Sequence, residues 1–521
     1  MHFSKFVGGT GEEWWRTLER VFRSCDLTGL LLLLVSSAIR LFLINRPFVP
    51  NNEGTATVIP VMHAVNFLRY GPLASGFAGV LNTGLVAKEN WTFYAHHPPL
   101  GPLLTAVVYW FVGVSEWSTR LVPSVFSIAA TLLFYRIIAR RYGLRAGFLA
   151  GCFYAGAPIT IAFGGMPDYV NAQVVFFMLA DVEVYMRWRE TGKRSWLVWA
   201  TLLFVMGALT DWPMFYLVPI VAAHYWISGG RSFTRTAALA AVPCAVLYLV
   251  NSWMESIEGR RAILYLLETR AIRIGWGTWF REVVLGTIGP LHTWPVVLLA
   301  GVYIVAAMVL DVRRKFSRFG QQDFAAVLIL IGGLHFVIAR QGTGQPWWAA
   351  VLTAPLALGA ALGLEVLLKP IGVGTWASRF VVIAIVITFI GFSIPQAYVL
   401  LRPWPYARSI GYSMKDLGTI IRSISRPDEG VLTSNYFHEP TLWFYADRQL
   451  RLDILDVESL DDALAAGPYD LALGYAQKDG PPPHWFVMPP MHRKSLGRLV
   501  EVLDARFQRK EIDGFAIYRL K

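Results

Sequence analysis

Long apolar runs constrain this chain more than any other feature. Segments such as 27–44, 283–310 and 380–401 are extended and nearly uncharged. A hydrocarbon core about 30 Å thick needs roughly 20 apolar residues per helix, so runs of this kind read as membrane spans. Composition agrees: 16% of the 521 residues are charged and mean hydropathy is +0.46, against about 25% charged in soluble domains. The net charge of +12 is then a matter of cytoplasmic loops and anionic headgroups, and no nucleic-acid partner is expected. Cys152 and Cys244 lie inside apolar segments and Cys25 abuts the first, which argues against a disulfide framework or a cysteine metal site.

The pattern predicts eleven spanning helices, near 27–45, 118–139, 144–163, 169–187, 195–211, 212–228, 235–253, 284–310, 323–340, 347–368 and 378–401. Residues 1–26 read as an interfacial cytoplasmic helix. There Trp14, Trp15, Leu18, Val21 and Phe22 share a face near Arg16, Arg20 and Arg23, as surface-lying helices do. The segment 97–114 is apolar, but Pro98, Pro99, Gly101 and Pro102 break its start. Leaving it out of the count puts three basic clusters inside: Arg136 to Arg145, Arg187 to Arg194, and Arg313 to Arg318. Counting it would put all three outside, against the positive-inside rule. It is therefore expected to lie along the outer face.

With the N-terminus inside, the loop 46–97, the turn 164–168, the loop 254–282, the turn 340–346 and the polar tail 403–521 all fall outside. The tail alternates helix and strand, with strands near 431–436, 451–455 and 470–474 and helices near 412–424, 459–466 and 495–505. It closes on a hairpin whose turn is Asp513-Gly514, a favoured two-residue connection. The expected fold class is an α-helical polytopic membrane protein with a C-terminal extracytoplasmic α/β domain. Its parts are 1–26, a membrane domain 27–402, and the tail 403–521.

Chemistry-bearing residues concentrate in the outer segments. Glu53 follows the first span in Arg46-Pro-Phe-Val-Pro-Asn-Asn52-Glu53, and Asp168 ends the turn Gly164-Gly-Met-Pro-Asp168. An acid at a membrane boundary is a functional candidate, and two on one face beside basic residues strengthen the case. Asp211, before Trp212-Pro213, is a lesser candidate. His96 and His97 precede Pro98-Pro99 at a rigid corner and offer hydrogen bonds to phosphate. Adjacent histidines diverge, and no second pair has ligand spacing, so metal ligation is weakly supported. No cofactor is implied, and a divalent cation is left open. Arg260, Arg261, Arg270, Arg273 and Arg281 crowd an outer loop, where an anionic headgroup and a lipid-linked phosphate are equally good partners. The turn with Arg340, Gln341, Gln345, Trp347 and Trp348 suits interface anchoring or sugar stacking.

Taken together, these residues resemble the GT-C glycosyltransferases, specifically bacterial family-39-like proteins. That group is similar to protein O-mannosyltransferases and the lipid A aminoarabinose transferase. The similarity runs over about 27–365. It is carried by Tyr94-Ala-His-His-Pro-Pro-Leu, by Gly113-Val-Ser-Glu-Trp-Ser-Thr-Arg120-Leu-Val-Pro123, and by Met166-Pro-Asp168. The resemblance implies an inverting transfer of a sugar from a polyprenyl-phosphate donor to an envelope glycan, lipid or protein acceptor, in a bacterial plasma membrane. It implies Glu53 or Asp168 as base, with Glu53 slightly favoured. It makes His97 and either Arg270 or Arg273 phosphate ligands, alongside His96. It places Asn52, Tyr94, Gln341, Gln345 and Trp347 at the substrate. Family members carry an aspartate-glutamate pair where this chain has Asn52-Glu53. The alternatives are a transporter or flippase for a lipid-linked precursor, and a non-catalytic glycan-binding membrane protein. A transporter would show half-to-half symmetry or paired broken helices, which the sequence does not display.

Overall fold

The structure is a computed structural model. It describes residues 27–168, 172–230, 232–259, 275–313, 323–338, 345–371, 375–409, 412–434, 440–452, 454–466, 471–472, 475–476 and 483–521. The N-terminal interfacial helix, Arg260, Arg261, Arg270, Arg273 and Gln341 lie outside the described residues.

Helices dominate up to residue 401. Four of those described are long and apolar enough to cross a membrane: Glu116–Tyr142, Leu239–Ile257, Pro346–Leu368 and Trp376–Leu401. Trp276–His292 and Trp294–Val309 pass the same test only as a pair, bent by 105°. This is fewer than the eleven spans expected. The difference arises where the expected runs break, fall short or carry charge. The run 144–163 divides at Pro158 into Leu144–Gly156 and Pro158–Phe163, with Pro158, which has no N–H for the helical ladder, opening the second helix. The run 284–310 breaks at Thr293, whose φ is +64°. The run 212–228 is a 3₁₀ turn, a nine-residue helix and a π turn. Helix Ala172–Thr191 carries Asp181, Glu183, Arg187 and Arg189. Leu27–Leu43, Arg194–Ala208 and Phe324–Val337 are apolar but short. Leu100–Val112 is also short, at 13 residues.

The main apolar cluster of the helical part includes Phe134, Phe153, Phe177, Leu179, Leu358 and Leu364, all buried. At one end of the bundle, basic residues from two of the expected cytoplasmic clusters come together around acids. Arg140, Arg141 and Arg187 each reach Glu183, at 2.9, 2.9 and 2.7 Å, and Arg145 reaches Glu365 at 3.0 Å.

The tail carries a five-stranded sheet in the order Gln449–Arg451, Gly430–Thr433, Pro483–Met488, Phe515–Arg519, Gln508–Ile512. The first two pairings are parallel and the last two antiparallel. Asp513 and Gly514 both take positive φ, at 50° and 81°, giving the expected tight turn. Pro483–Met488 and helix Pro440–Ala446 were not legible in the sequence. The strand follows consecutive prolines, and a strand admits proline at its first position.

The tail packs on the first loop. Val58, Met62 and Leu81 share an apolar cluster with Leu417, Ile421, Trp443 and Ala446. Arg69 donates to both oxygens of Asp447, at 2.8 and 2.7 Å. The backbone N–H of Phe48 donates to the Tyr445 hydroxyl at 2.8 Å. A Cβ on Gly54 would overlap both the Val49 carbonyl and the Thr441 side chain, so the close approach here requires glycine. Loop 46–97 and the tail therefore share one side of the molecule.

Candidate functional site

Glu53 lies in the first turn of helix Asn52–Tyr70, where the helix dipole favours a carboxylate. Asn51 caps that helix by accepting from the Gly54 N–H at 2.8 Å, and its amide donates to the Leu401 carbonyl at 2.6 Å. Asn52 is half-buried beside it. The Glu53 carboxylate is 2% exposed and held on both oxygens. Arg120 Nε donates to Oε1 at 2.8 Å, and Arg46 pairs with Oε2. Arg120 also donates to the carbonyls of Ile44 and Arg46, at 3.0 and 2.5 Å, and its guanidinium stands 4.1 Å from the Phe48 ring. The chain from Ile44 to Glu53 is thus wrapped around one buried guanidinium. Charge-assisted bonds on both oxygens hold the negative charge in place, which suits an anchor better than a base.

The histidine corner is assembled separately. Tyr94 is half-buried, with ring centroids 5.9 Å from His63, 4.5 Å from His96 and 6.1 Å from His97, nearly parallel to the last at 17°. His63 packs so closely on Gly79 that a Cβ there would overlap the imidazole. Burial, then the neighbouring His97 and His96, push His63 down to about 3. The turn after helix Arg194–Ala208 is fastened to the corner. The Leu100 N–H donates to the Leu209 carbonyl at 2.9 Å, Trp212 Nε1 donates to the His96 carbonyl at 2.7 Å, and Asp211 Oδ1 meets His97 Nδ1 at 2.8 Å.

Asp168 lines a small cavity with Pro60, Gly101, Pro102, Thr105, Gln173 and Thr210. Gly101 and Pro102 continue the Pro98-Pro99 corner, and Thr210 precedes Asp211. Asp168 therefore stands on the histidine side. Glu53 lines a different cavity, with Arg46, Arg120, Ser124 and Gly165. The two cavities are linked by the turn 164–168, which gives Gly165 to one and Asp168 to the other, and by helix Asn52–Tyr70, which gives Glu53 to one and Pro60 to the other. Gln345 precedes the 3₁₀ turn Pro346–Leu352, and Trp347 packs edge-on against Phe163 at 6.5 Å. Trp347 belongs to an apolar cluster with Phe163, Met166 and Leu352, which ties it to the Asp168 turn. A larger cavity, about 510 Å³, opens beside Asp181, Tyr185, Trp188 and Arg189; none of the expected site residues lines it. Among the described residues, no group of three or more His, Cys, Asp or Glu is placed to hold a metal ion.

Sequence reasoning gave no role to Arg46, Arg120 or His63. An arginine inside an apolar helix is itself a signal of a buried partner, and Arg120 carried that signal.

Residues 96–254 match the family described as dolichyl-phosphate-mannose-protein mannosyltransferase. A putative mannosyltransferase, YkcB of Bacillus subtilis, is 25% identical over 239 residues. That match takes in 45% of this chain and 31% of the relative, so the chain spans about a third of the length of the curated relative it matches. The crystal structure of ArnT from Cupriavidus metallidurans bound to undecaprenyl phosphate superimposes with a TM-score of 0.57 at 15% identity, covering 94% of this chain and 98% of that one. The chain resembles the GT-C glycosyltransferases and shares their fold. The Archaeoglobus fulgidus oligosaccharyltransferase solved with Zn and sulfate also shares the fold, at a TM-score of 0.53 and 14% identity, covering 88% of this chain and 67% of that one. The family match begins at His96, inside the histidine corner, and includes Asp168 and Asp211.

Proposed function

We propose that this protein moves a sugar from a polyprenyl-phosphate donor to an acceptor hydroxyl on the outer face of the plasma membrane, with inversion at the anomeric carbon. One observation carries the reading: His97, Asp211 and the cavity lined by Asp168 gather at the Pro98-Pro99 corner. That corner supplies hydrogen-bond donors for a phosphate and a carboxylate for a hydroxyl proton. ArnT, which shares the fold, was crystallised with undecaprenyl phosphate, and this supports a lipid phosphate as the donor's leaving group.

In the transfer, the acceptor oxygen bonds to the anomeric carbon as the bond from that carbon to the phosphate oxygen breaks. Polyprenyl phosphate departs with the electron pair, and the hydroxyl proton passes to a carboxylate. We assign that proton to Asp168 rather than Glu53, because two arginines already occupy the Glu53 oxygens. Glu53 then fixes the loop that carries Asn52 to the site. His97 and an arginine of the loop 254–282 bind the phosphate, where positive donors stabilise developing charge. Tyr94, His96, Gln341, Gln345 and Trp347 complete the pocket for sugar and acceptor. The N-terminus is cytoplasmic and the tail extracytoplasmic.

The test is lipid binding. Arg270→Ala should melt near the wild-type temperature. His97→Ala should melt lower, because it strands the buried Asp211 carboxylate. Both, assayed while folded, should retain less polyprenyl phosphate in native mass spectrometry. Undiminished retention in both variants contradicts the donor assignment.

A further inference from the structure

The Asp211 carboxylate is 0% exposed, in extended backbone between helix Arg194–Ala208 and Pro213. Its burial removes it from any acceptor hydroxyl, and one of its oxygens lies 2.8 Å from His97 Nδ1. We infer that Asp211 is a positioning residue that makes His97 a phosphate ligand, an inference resting on the donor reading above.

An ionised carboxylate only accepts hydrogen bonds, so the bond to Asp211 requires the proton on Nδ1. In a histidine, the partner of one ring nitrogen decides the role of the other. Nε2 is thereby the atom that addresses a phosphate oxygen, and their hydrogen bond holds a proton whichever partner brought it. The orientation of the ring is set twice. Asp211 holds one edge, and the Tyr94 ring lies nearly parallel to one face at 17°. The carboxylate is itself held on the corner by the backbone. The Asp211 N–H donates to the Gly207 carbonyl at 3.0 Å, the Leu100 N–H to the Leu209 carbonyl at 2.9 Å, and Trp212 Nε1 to the His96 carbonyl at 2.7 Å. A buried carboxylate without a partner is costly, and the imidazole supplies that partner. The arrangement parallels the carboxylates that orient metal-bound histidines, whose removal typically costs 10- to 100-fold in affinity.

Four purified proteins test this: wild type, Asp211→Asn, His97→Lys and the double variant. Each is titrated with undecaprenyl phosphate by native mass spectrometry and melted without lipid. Asp211→Asn should weaken retention about tenfold in the histidine protein. The same change should cost less than about twofold in the lysine protein, because an ammonium has no tautomer to fix and three rotatable donors. Equal losses in both backgrounds, or no loss in the histidine background, overturn the inference and leave the donor reading standing. If the wild type retains no lipid phosphate, the donor reading fails, and the melting temperatures decide the pairing. Non-additive shifts across the four proteins then support it, and additive shifts overturn it.

Discussion

At the scale of single residues, Asp168 and Glu53 separate by their partners. Glu53→Gln keeps the size of the side chain but leaves Arg46 and Arg120 without their counter-charge. Breaking a buried pair from one side costs about 3–5 kcal/mol, so thermal melting of this variant should fall well below wild type. Asp168→Asn should melt close to wild type while transfer drops about 10²–10⁴-fold, the usual loss when a general base is removed. The reverse pattern, with a stable and inactive Glu53→Gln beside an active Asp168→Asn, returns the base to Glu53. His63 gives a pH-dependent prediction. Burial depresses it to about 3, against about 6.5 in an unfolded chain. Between those values the unfolded chain binds the extra proton, so the stability held above pH 6.5 declines as pH falls through that window. Melting followed from pH 7.5 to pH 5 should show this decline, and His63→Phe should shrink it. An unchanged slope in the variant assigns the decline elsewhere.

At the scale of elements, what the sequence disclosed follows from what is local. The closing hairpin was legible because Asp513-Gly514 demands positive φ at two adjacent residues, and both adopt it. The short helix Leu100–Val112 was legible from Pro98-Pro99, which precede it, although the helix takes in Gly101 and Pro102, where a break was expected. The chain breaks at Thr293 and within 212–228 were not, because they arise from how neighbours pack. Of the candidate site, the histidine corner was legible from its prolines, whereas the pairings of Glu53 with Arg120 and of His97 with Asp211 join residues 67 and 114 positions apart. The docking of the tail was also invisible, since it depends on Trp443, Tyr445 and Asp447 meeting the first loop. Trp443 is 2% exposed within that junction. Trp443→Ala should cost about 3–5 kcal/mol and expose the tail to limited proteolysis before the helical part unfolds. A digestion pattern identical to wild type would show that the tail holds without this anchor.

At the scale of the whole molecule, loop 46–97 and the tail share one side, and the arginine network around Glu183 gathers at one end of the helical bundle. With the native cysteines replaced, single cysteines at Glu89 and Glu511 should react with an impermeant reagent in intact cells. Cysteines at Lys193 and Arg194 should react only after permeabilisation. The outer-face transfer itself is tested most directly in cell envelopes compared by mass spectrometry. Three strains are needed: one with the wild-type protein, one with Asp168→Asn and one lacking the protein. Outer-face transfer predicts a single envelope component that is lighter by one sugar in both altered strains. An envelope unchanged across all three, or full transfer by Asp168→Asn, would contradict it.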